Sequence, residues 1–164
     1  MSEEDMPEKY IWSELKHTQI GKYAEYYVKM EFTKYGLDVY SSEIDDKGID
    51  FIVKNNSNRY FDIQVKSIRM GKTNYVFIPK QLWKDELRAN MLVALVIFED
   101  GKEPQLFLIP VTVWEEPNKL FINREYGEGK KSKPEWGISI TKDNFPLLQE
   151  YKIQKTIGKL LRIV

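Results

Sequence analysis

The sequence contains no cysteine, only one histidine and no long hydrophobic run. Without cysteine the chain forms no disulfide and no thiolate metal site, and it has no cysteine nucleophile. Any chemistry therefore depends on carboxylates, amides, lysines or His17. The longest apolar run, residues 91–98, is much too short to span a bilayer, so we expect no membrane partner.

The formal net charge is zero, because 25 basic residues balance 25 acidic ones. The overall positive charge that is typical of a strong nucleic-acid binder is therefore absent, and any binding of nucleic acid has to depend on local basic patches. Residues 1–10 are acidic and lack the apolar core of a signal peptide, which leads us to expect a cytoplasmic protein.

The composition is that of a soluble globular protein, with 42% hydrophobic and 30% charged residues. A length of 164 residues suits one domain that folds without a disulfide or a structural metal. We expect an N-terminal extension over residues 1–17 and a single domain over residues 18–164.

The first half of the chain predicts one helix followed by three strands. Apolar residues at helical spacing indicate a helix over residues 18–35, capped by Thr18 and ended by Gly36. Segments rich in β-branched and aromatic residues then predict strands at residues 37–44, 49–55 and 59–68.

The third predicted strand has one polar face. Because side chains alternate along a strand, Asp62, Gln64 and Lys66 lie on one side, while apolar residues lie on the other. This polar face has to contact water or charged groups.

The second half of the chain predicts a mixed sheet. The apolar run at residues 91–99 is typical of a central strand buried on both faces, and residues 105–114 should pair with it as an antiparallel hairpin. The polar stretch at residues 115–134 is predicted to be a mobile loop. The remaining predicted elements are strands at residues 74–79 and 136–140, a short helix at residues 81–89 and a last helix from Asn144 onward.

Three short motifs follow one another along the chain: Gly21-x-x-x-Glu25 in the predicted helix, Gly48-Ile49-Asp50 at the start of a strand, and Gln64-Val65-Lys66 in the next strand. Together they resemble the PD-(D/E)XK nuclease superfamily, particularly the archaeal Holliday-junction-resolvase type. There a helical glutamate precedes strands that carry Asp and then (Asp/Glu)-x-Lys. The Gln-x-Lys form also resembles an uncharacterised bacterial branch of that superfamily. The motifs cover residues 18–70, and the resemblance of the remainder is looser.

The resemblance implies a restriction-endonuclease-like α/β fold, with a central mixed sheet flanked by helices. It implies a metal-dependent nuclease that hydrolyses phosphodiester bonds, as an endonuclease on DNA. Mg²⁺ or Mn²⁺ would neutralise charge on the phosphate and acidify a bound water. The implied metal ligands are Asp50, the side chain of Gln64, the carbonyl of Val65 and, as an outer or second-metal ligand, Glu25. Lys66 would orient the attacking water or help to deprotonate it.

The motif departs from the family at Gln64, where Asp or Glu is usual. The change removes one negative charge and should weaken metal binding, although an amide oxygen still binds hard cations. Glu25 or Asp62 could restore the charge. Ile49 stands where the family signature has proline, at a position that varies across the superfamily.

Several residues have competing interpretations. Glu25 could form a surface ion pair with Lys29 instead of binding metal. The candidates for nucleic-acid contact are Arg69, Lys72, Lys130 and Lys131. A basic stripe on the last predicted helix comprises Lys152, Lys155, Lys159 and Arg162. For both groups the alternative is an ordinary solvated surface.

The function also has competing interpretations. The main alternative is an inactive nuclease-fold module that binds nucleic acid or a protein partner, which Gln64 favours. An assembly protein that uses the polar strand face for a subunit contact is a third possibility. A homodimer would suit each of them. The choice between DNA and RNA stays open at this level.

Overall fold

The computed structural model describes residues 10–44 and 48–162, and its centre is a five-stranded sheet. The helices are α1 (His17–Lys34), α2 (Phe145–Gln149) and α3 (Ile153–Arg162). The strands are β1 (Asp38–Tyr40), β2 (Phe51–Lys54), β3 (Tyr60–Arg69), β4 (Tyr75–Pro79), β5 (Met91–Phe98), β6 (Gln105–Pro110), β7 (Phe121–Arg124) and β8 (Glu135–Ser139). Short 3-10 helices lie at Trp12–Glu14, Lys80–Trp83 and Val111–Glu115.

The central sheet has the strand order β1-β2-β3-β5-β6. Strands β1, β2 and β3 form an antiparallel meander, β3 runs parallel to β5, and β5 pairs with β6 as the predicted antiparallel hairpin. The predicted mixed sheet is therefore confirmed. The register of β2 with β3 ends at the pair Phe51 and Ile63, so beyond Ile63 no strand of the described part of the chain covers that edge of β3.

Helix α1 covers one face of this sheet. Its buried residues Ile20, Ala24, Val28 and Phe32 recur at every fourth position and form one apolar stripe, as the sequence predicts. The helix begins at His17, one residue earlier than predicted, and ends before Gly36, whose φ of 85° is easily adopted only by glycine. None of the described helices combines the length and apolarity needed to cross a bilayer.

A second sheet, with the order β4-β8-β7, covers the other face. Trp83, Trp114 and Trp136 fill the layer between the two sheets, and the ring centroids of Trp83 and Trp136 lie 5.5 Å apart. Because both faces of the central sheet are covered, every residue of β5 is buried. The prediction of a loop throughout residues 115–134 is wrong, because β7 lies within it and buries Phe121 against this layer.

The predicted helix at residues 81–89 is wrong beyond its first turn. A 3-10 helix ends at Trp83, because Lys84 and Asp85 adopt left-handed backbone with φ of 53° and 57°. Backbone of this hand is incompatible with a continued right-handed helix.

The last predicted helix is divided into α2 and α3. Between them Tyr151 accepts a hydrogen bond from the backbone N–H of Leu108 at 2.8 Å, and Lys152 forms a β-bridge with Phe107 of β6. The chain is therefore extended at this point. Lys152 precedes α3, so the predicted helical stripe of four basic residues loses its first member.

Residues 10–16 belong to the predicted N-terminal extension, yet they pack on the α1 side of the core. Trp12 is buried, its ring centroid lies 4.9 Å from that of Phe98, and its indole N–H donates to the carbonyl of Lys102 at 2.9 Å. This segment is therefore held close to the C-terminal end of β3.

We expect Gly48→Ala to lower the free energy of unfolding by about 1–3 kcal/mol, because a Cβ at this position would lie only 2.6 Å from the carbonyl oxygen of Leu82. Urea denaturation measures the change. Gly21→Ala is the matched control: a Cβ there meets nothing within 4 Å, and alanine in a helix interior should stabilise by about 0.5–1 kcal/mol. Equal effects of the two substitutions would contradict the close approach.

Candidate functional site

The carboxylate of Asp50 lies against the edge of β3 that β2 leaves uncovered. The backbone N–H of Asp50 donates to the carbonyl of Ile63 at 2.8 Å, which continues the β2–β3 ladder by one residue. Beyond Asp50 the backbone of this segment no longer pairs with β3, and the side chain of Asp50 forms the hydrogen bonds to β3 instead. Asp50 Oδ2 accepts the backbone N–H of Val65 at 2.6 Å and the amide Nε2 of Gln64 at 2.9 Å. The end of the ladder therefore fixes where this carboxylate points.

Gly48, two residues before Asp50, is anchored to the layer between the sheets. Trp83 donates its indole N–H to the carbonyl of Gly48 at 2.9 Å, and the closeness of Leu82 leaves no room for a side chain at Gly48. This contact explains the glycine of the Gly48-Ile49-Asp50 motif. It holds the backbone that carries Asp50.

Gln64 is 6% exposed, and its amide is only half satisfied. Nε2 donates to Asp50, but Oε1 is buried without a hydrogen-bond partner among the described residues. A buried acceptor of this kind costs about 1–3 kcal/mol. A buried oxygen without a protein partner at a polar strand position is a candidate ligand for a hard cation.

Lys66 lies on the same face of β3 as Gln64, two residues further along the strand, and its side chain is largely buried. Burial lowers the pKa of the Lys66 ammonium, because the charged form loses hydration, and the nearby Asp50 carboxylate opposes this shift. Within residues 10–44 and 48–162 the ammonium has no hydrogen bond or ion pair that would occupy it. It is therefore available to a water or a phosphate.

Glu25 lines the same cavity as Asp50, together with Glu43 and two lysines, and this cavity has a volume of about 500 Å³. The side chain of Glu25 accepts an ion pair from Lys22 at 2.9 Å. The alternative pairing with Lys29 is wrong, because the Lys29 ammonium donates to Ser41 instead. Glu25 thus lies on the border of the site with its charge partly neutralised.

Asp62 does not supplement the charge of the site. Its carboxylate pairs with Arg88 at 2.9 Å and is almost fully buried in that ion pair. The expectation that Asp62 could compensate for Gln64 is therefore wrong, although the two residues share a strand face.

The four predicted nucleic-acid contacts are distributed over two regions. Arg69 donates to the carbonyls of Leu15 at 2.6 Å and Trp12 at 3.3 Å, so its guanidinium ties the N-terminal segment to the end of β3. Lys72 similarly donates to the carbonyl of Ser13 at 2.6 Å. Lys130 and Lys131 are exposed between β7 and β8, and neither lines the cavities that contain Asp50 or Lys66.

A second cavity borders Lys66 and contains residues that sequence reasoning did not assign to the site. His17, Tyr75 and Phe77 line this cavity together with Lys66. The sequence offers one signal for the aromatic residues, which is their spacing of two in a predicted strand a few residues after the basic Arg69 and Lys72. That signal is weak without the fold.

Solved structures similar to this chain include two nucleases. One is I-Ssp6803I, a bacterial homing endonuclease, at 17% identity and a TM-score of 0.53, with 90% of this chain and 92% of that chain covered. Another is Hjc, a Holliday junction resolvase of Archaeoglobus fulgidus, at 15% identity and a TM-score of 0.50, with 85% and 96% covered.

The chain has the restriction-endonuclease-like fold. No family model and no curated protein matches the sequence. The likeness therefore concerns the arrangement of strands and helices. It confirms the fold class expected from the three motifs.

Within this restriction-endonuclease-like fold, the donor set around Asp50 fits a hard divalent cation. The described residues contain no group of three or more His, Cys, Asp or Glu side chains suited to a metal. The candidate ligands are instead a carboxylate and an amide oxygen, from Asp50 and Gln64, beside the backbone of Val65. Oxygen ligands of these kinds suit Mg²⁺ or Mn²⁺, and Gln64 would offer Oε1 to the cation after a turn of its amide, because Nε2 now faces Asp50.

We expect Arg69→Ala to lower the free energy of unfolding by about 1–2 kcal/mol, because two backbone carbonyls of the N-terminal segment lose a charged donor. Urea denaturation measures it. Lys131→Ala, which removes an exposed cation, is the control and should change stability by less than about 0.5 kcal/mol. If Arg69→Ala leaves stability intact and weakens only nucleic-acid binding, the predicted contact role of Arg69 is the correct one.

Proposed function

We propose that the protein is a metal-dependent nuclease that hydrolyses phosphodiester bonds, and that it acts on DNA as an endonuclease. The observation that supports this most strongly is the meeting of Asp50 with Gln64 and Val65 at the uncovered edge of β3, next to Lys66. Two DNA-acting nucleases share the fold. The proposal joins this fold to a donor set that suits a divalent cation.

The proposed reaction needs one cation and a correctly held water. When bound, Mg²⁺ or Mn²⁺ would supply charge neutralisation on the phosphate and lower the pKa of a bound water. Asp50, the amide oxygen of Gln64 and the carbonyl of Val65 would hold it. Lys66 would hold the attacking water and place its positive charge against the phosphate. Glu25, on the far wall of the same cavity, would act as an outer ligand.

The bond changes in hydrolysis define what these residues have to achieve. The oxygen of water forms a bond to phosphorus, the bond between phosphorus and the leaving oxygen breaks, and one proton passes from the water to the leaving side. The partly buried ammonium of Lys66, whose pKa burial lowers, is suited to a position beside that proton. No covalent intermediate with the protein is part of this proposal.

The rival function is a non-catalytic module that binds nucleic acid or a protein. One observation favours it: the amide nitrogen of Gln64 donates to Asp50, at the carboxylate oxygen that also accepts the N–H of Val65. An amide in this orientation satisfies the carboxylate without a metal. Turning the amide would present Oε1 instead, so the two functions differ in whether a cation drives that rotation.

We expect Asp50→Ala and Lys66→Ala each to lower the rate of DNA cleavage at least about 100-fold, because the first removes a metal ligand and the second removes the cation at the water. Cleavage of plasmid, linear, branched and single-stranded DNA and of RNA is measured with Mg²⁺ and with Mn²⁺. Lys142→Ala is the control, since Lys142 is an exposed residue of the turn before α2 and lines neither cavity.

Thermal unfolding of each variant accompanies the assay. Folded Asp50→Ala and Lys66→Ala proteins that cleave as fast as the unaltered chain would contradict the proposed site. A pure, folded protein that cleaves none of the substrates and binds no Mn²⁺ would support the non-catalytic module instead.

We expect Gln64→Glu to destabilise the metal-free protein by about 1–2 kcal/mol, because a carboxylate would replace the amide donor next to Asp50. Mn²⁺ should reverse this loss, and its affinity should rise about tenfold with the added charge. Urea denaturation with EDTA or Mn²⁺ and titration calorimetry give the two quantities. Gln154→Glu, at an exposed position of α3, is the control. An unchanged Mn²⁺ affinity would place Gln64 outside the metal site.

A homodimer and a cytoplasmic location stay predictions from the sequence. Two copies would place two sites on the two strands of a duplex. Analytical ultracentrifugation of the protein alone and with DNA measures the oligomeric state and tests the homodimer.

A further inference from the structure

A groove that borders Lys66, and that shares no lining residue with the carboxylate cavity, has a strongly one-sided charge. It has a volume of about 610 Å³ and lies between the start of α1, the C-terminal half of β3 and strand β4. His17, Lys66, Arg69 and Lys72 line it, and no Asp or Glu of the described chain does. In a protein with zero net charge, this segregation fits a polyanion.

Two aromatic residues of β4 border this groove. Tyr75 and Phe77 are two residues apart on one strand, so they share a face, and their ring centroids lie 6.1 Å apart with planes inclined by only 22°. This is the face opposite Val76 and Ile78, which pack against the core between the sheets. Phe77 is 46% exposed. A large exposed aromatic ring at the border of a basic groove is a candidate surface for stacking.

The surrounding residues hold Tyr75 in a fixed position. Its hydroxyl donates to the carboxylate of Glu135, which is buried, and the guanidinium carbon of Arg124 lies 4.5 Å from its ring centroid. The neighbouring strand has Gly137 beneath the ring, where a Cβ would lie 2.1 Å from the Tyr75 hydroxyl oxygen. The ring therefore lies flat across Gly137 and supports Phe77 in a fixed orientation.

We propose that Phe77, held in place by Tyr75, stacks against an unpaired base of the substrate, so that the substrate has a single-stranded nucleotide next to the phosphate held at Lys66. Aromatic rings beside backbone cations are how proteins bind single strands, because every base offers a face for stacking. In a regular duplex both faces of a base are already stacked on its neighbours. This inference rests on the proposed nuclease function, since it takes the ligand of the groove to be the substrate.

A binding experiment without metal tests the pair separately from catalysis. Affinity for a fluorescent thymidine oligonucleotide of about 12 residues is measured in EDTA for the unaltered chain and for Phe77→Ala, Phe77→Leu and Phe77→Trp. We expect a loss of about tenfold for Ala and Leu and no loss for Trp. Tyr60→Ala is the control, because Tyr60 is 53% exposed at the start of β3 and lines neither cavity.

The same measurement is made with two further ligands, of which the first has the same number of phosphates as the thymidine oligonucleotide. One is an oligonucleotide in which the bases are replaced by abasic sugars, and the other is the fully paired duplex. The proposal requires that the effect of Phe77→Ala disappears on the abasic strand. It also requires that the effect is much smaller on the duplex than on the single strand.

The leucine variant distinguishes stacking from simple packing, and thermal unfolding checks each variant. If Phe77→Leu binds the single strand as tightly as the unaltered chain does, the inference is overturned. It is also overturned if Phe77→Ala loses the same affinity for the abasic, single-stranded and duplex ligands. Cleavage that depends on Asp50 without any effect of Phe77 also overturns it, while leaving the nuclease function in place. If the binding of single strands depends on Phe77 but no ligand is cleaved, the stacking role of Phe77 is supported and the proposed nuclease function is contradicted.

Discussion

The structure depends on the carboxylate of Asp50, which accepts hydrogen bonds from β3 where the backbone of β2 no longer pairs with that strand. A strand edge buried beside a cavity leaves N–H groups that must be satisfied. Asp50 satisfies that of Val65 at 2.6 Å and simultaneously orients the amide of Gln64. The same contact therefore completes the sheet and assembles the candidate site. Stability and chemistry cannot be separated at this residue.

Burial on both faces of the central sheet gives the polar residues of β3 their unusual properties. Helix α1 covers one face and the second sheet covers the other, so Gln64 is buried and Lys66 is partly buried at the border of the groove. Desolvation leaves the amide oxygen of Gln64 without a partner and lowers the pKa of Lys66. A more open strand would hydrate both groups and remove the tendency to bind a cation or an anion.

Charge is segregated around Lys66 in a way that the composition conceals. The carboxylate cavity contains Glu25, Glu43 and Asp50 together with two lysines, whereas the groove that borders Lys66 has only basic residues among its charged lining. A zero net charge over the whole chain therefore conceals an uneven local distribution of charge. A metal ion and a phosphate require this pairing of an acidic and a basic wall. The proposed substrate would cross the boundary between them.

The sequence by itself determined the helix α1, the meander, the central apolar strand and the polar face of β3, because these follow from periodicity and local propensity. The resemblance also led to Asp50 and Gln64, which the fold then brought into contact. Only the tertiary structure decided that Glu25 pairs with Lys22, that Asp62 is neutralised by Arg88 and that Phe77 shares a groove with Lys66. The ion pair of Glu25 depends on which of several neighbouring lysines lies close enough after packing, and the other two contacts join elements far apart in the chain. The spacing of residues along one segment predicts none of these contacts.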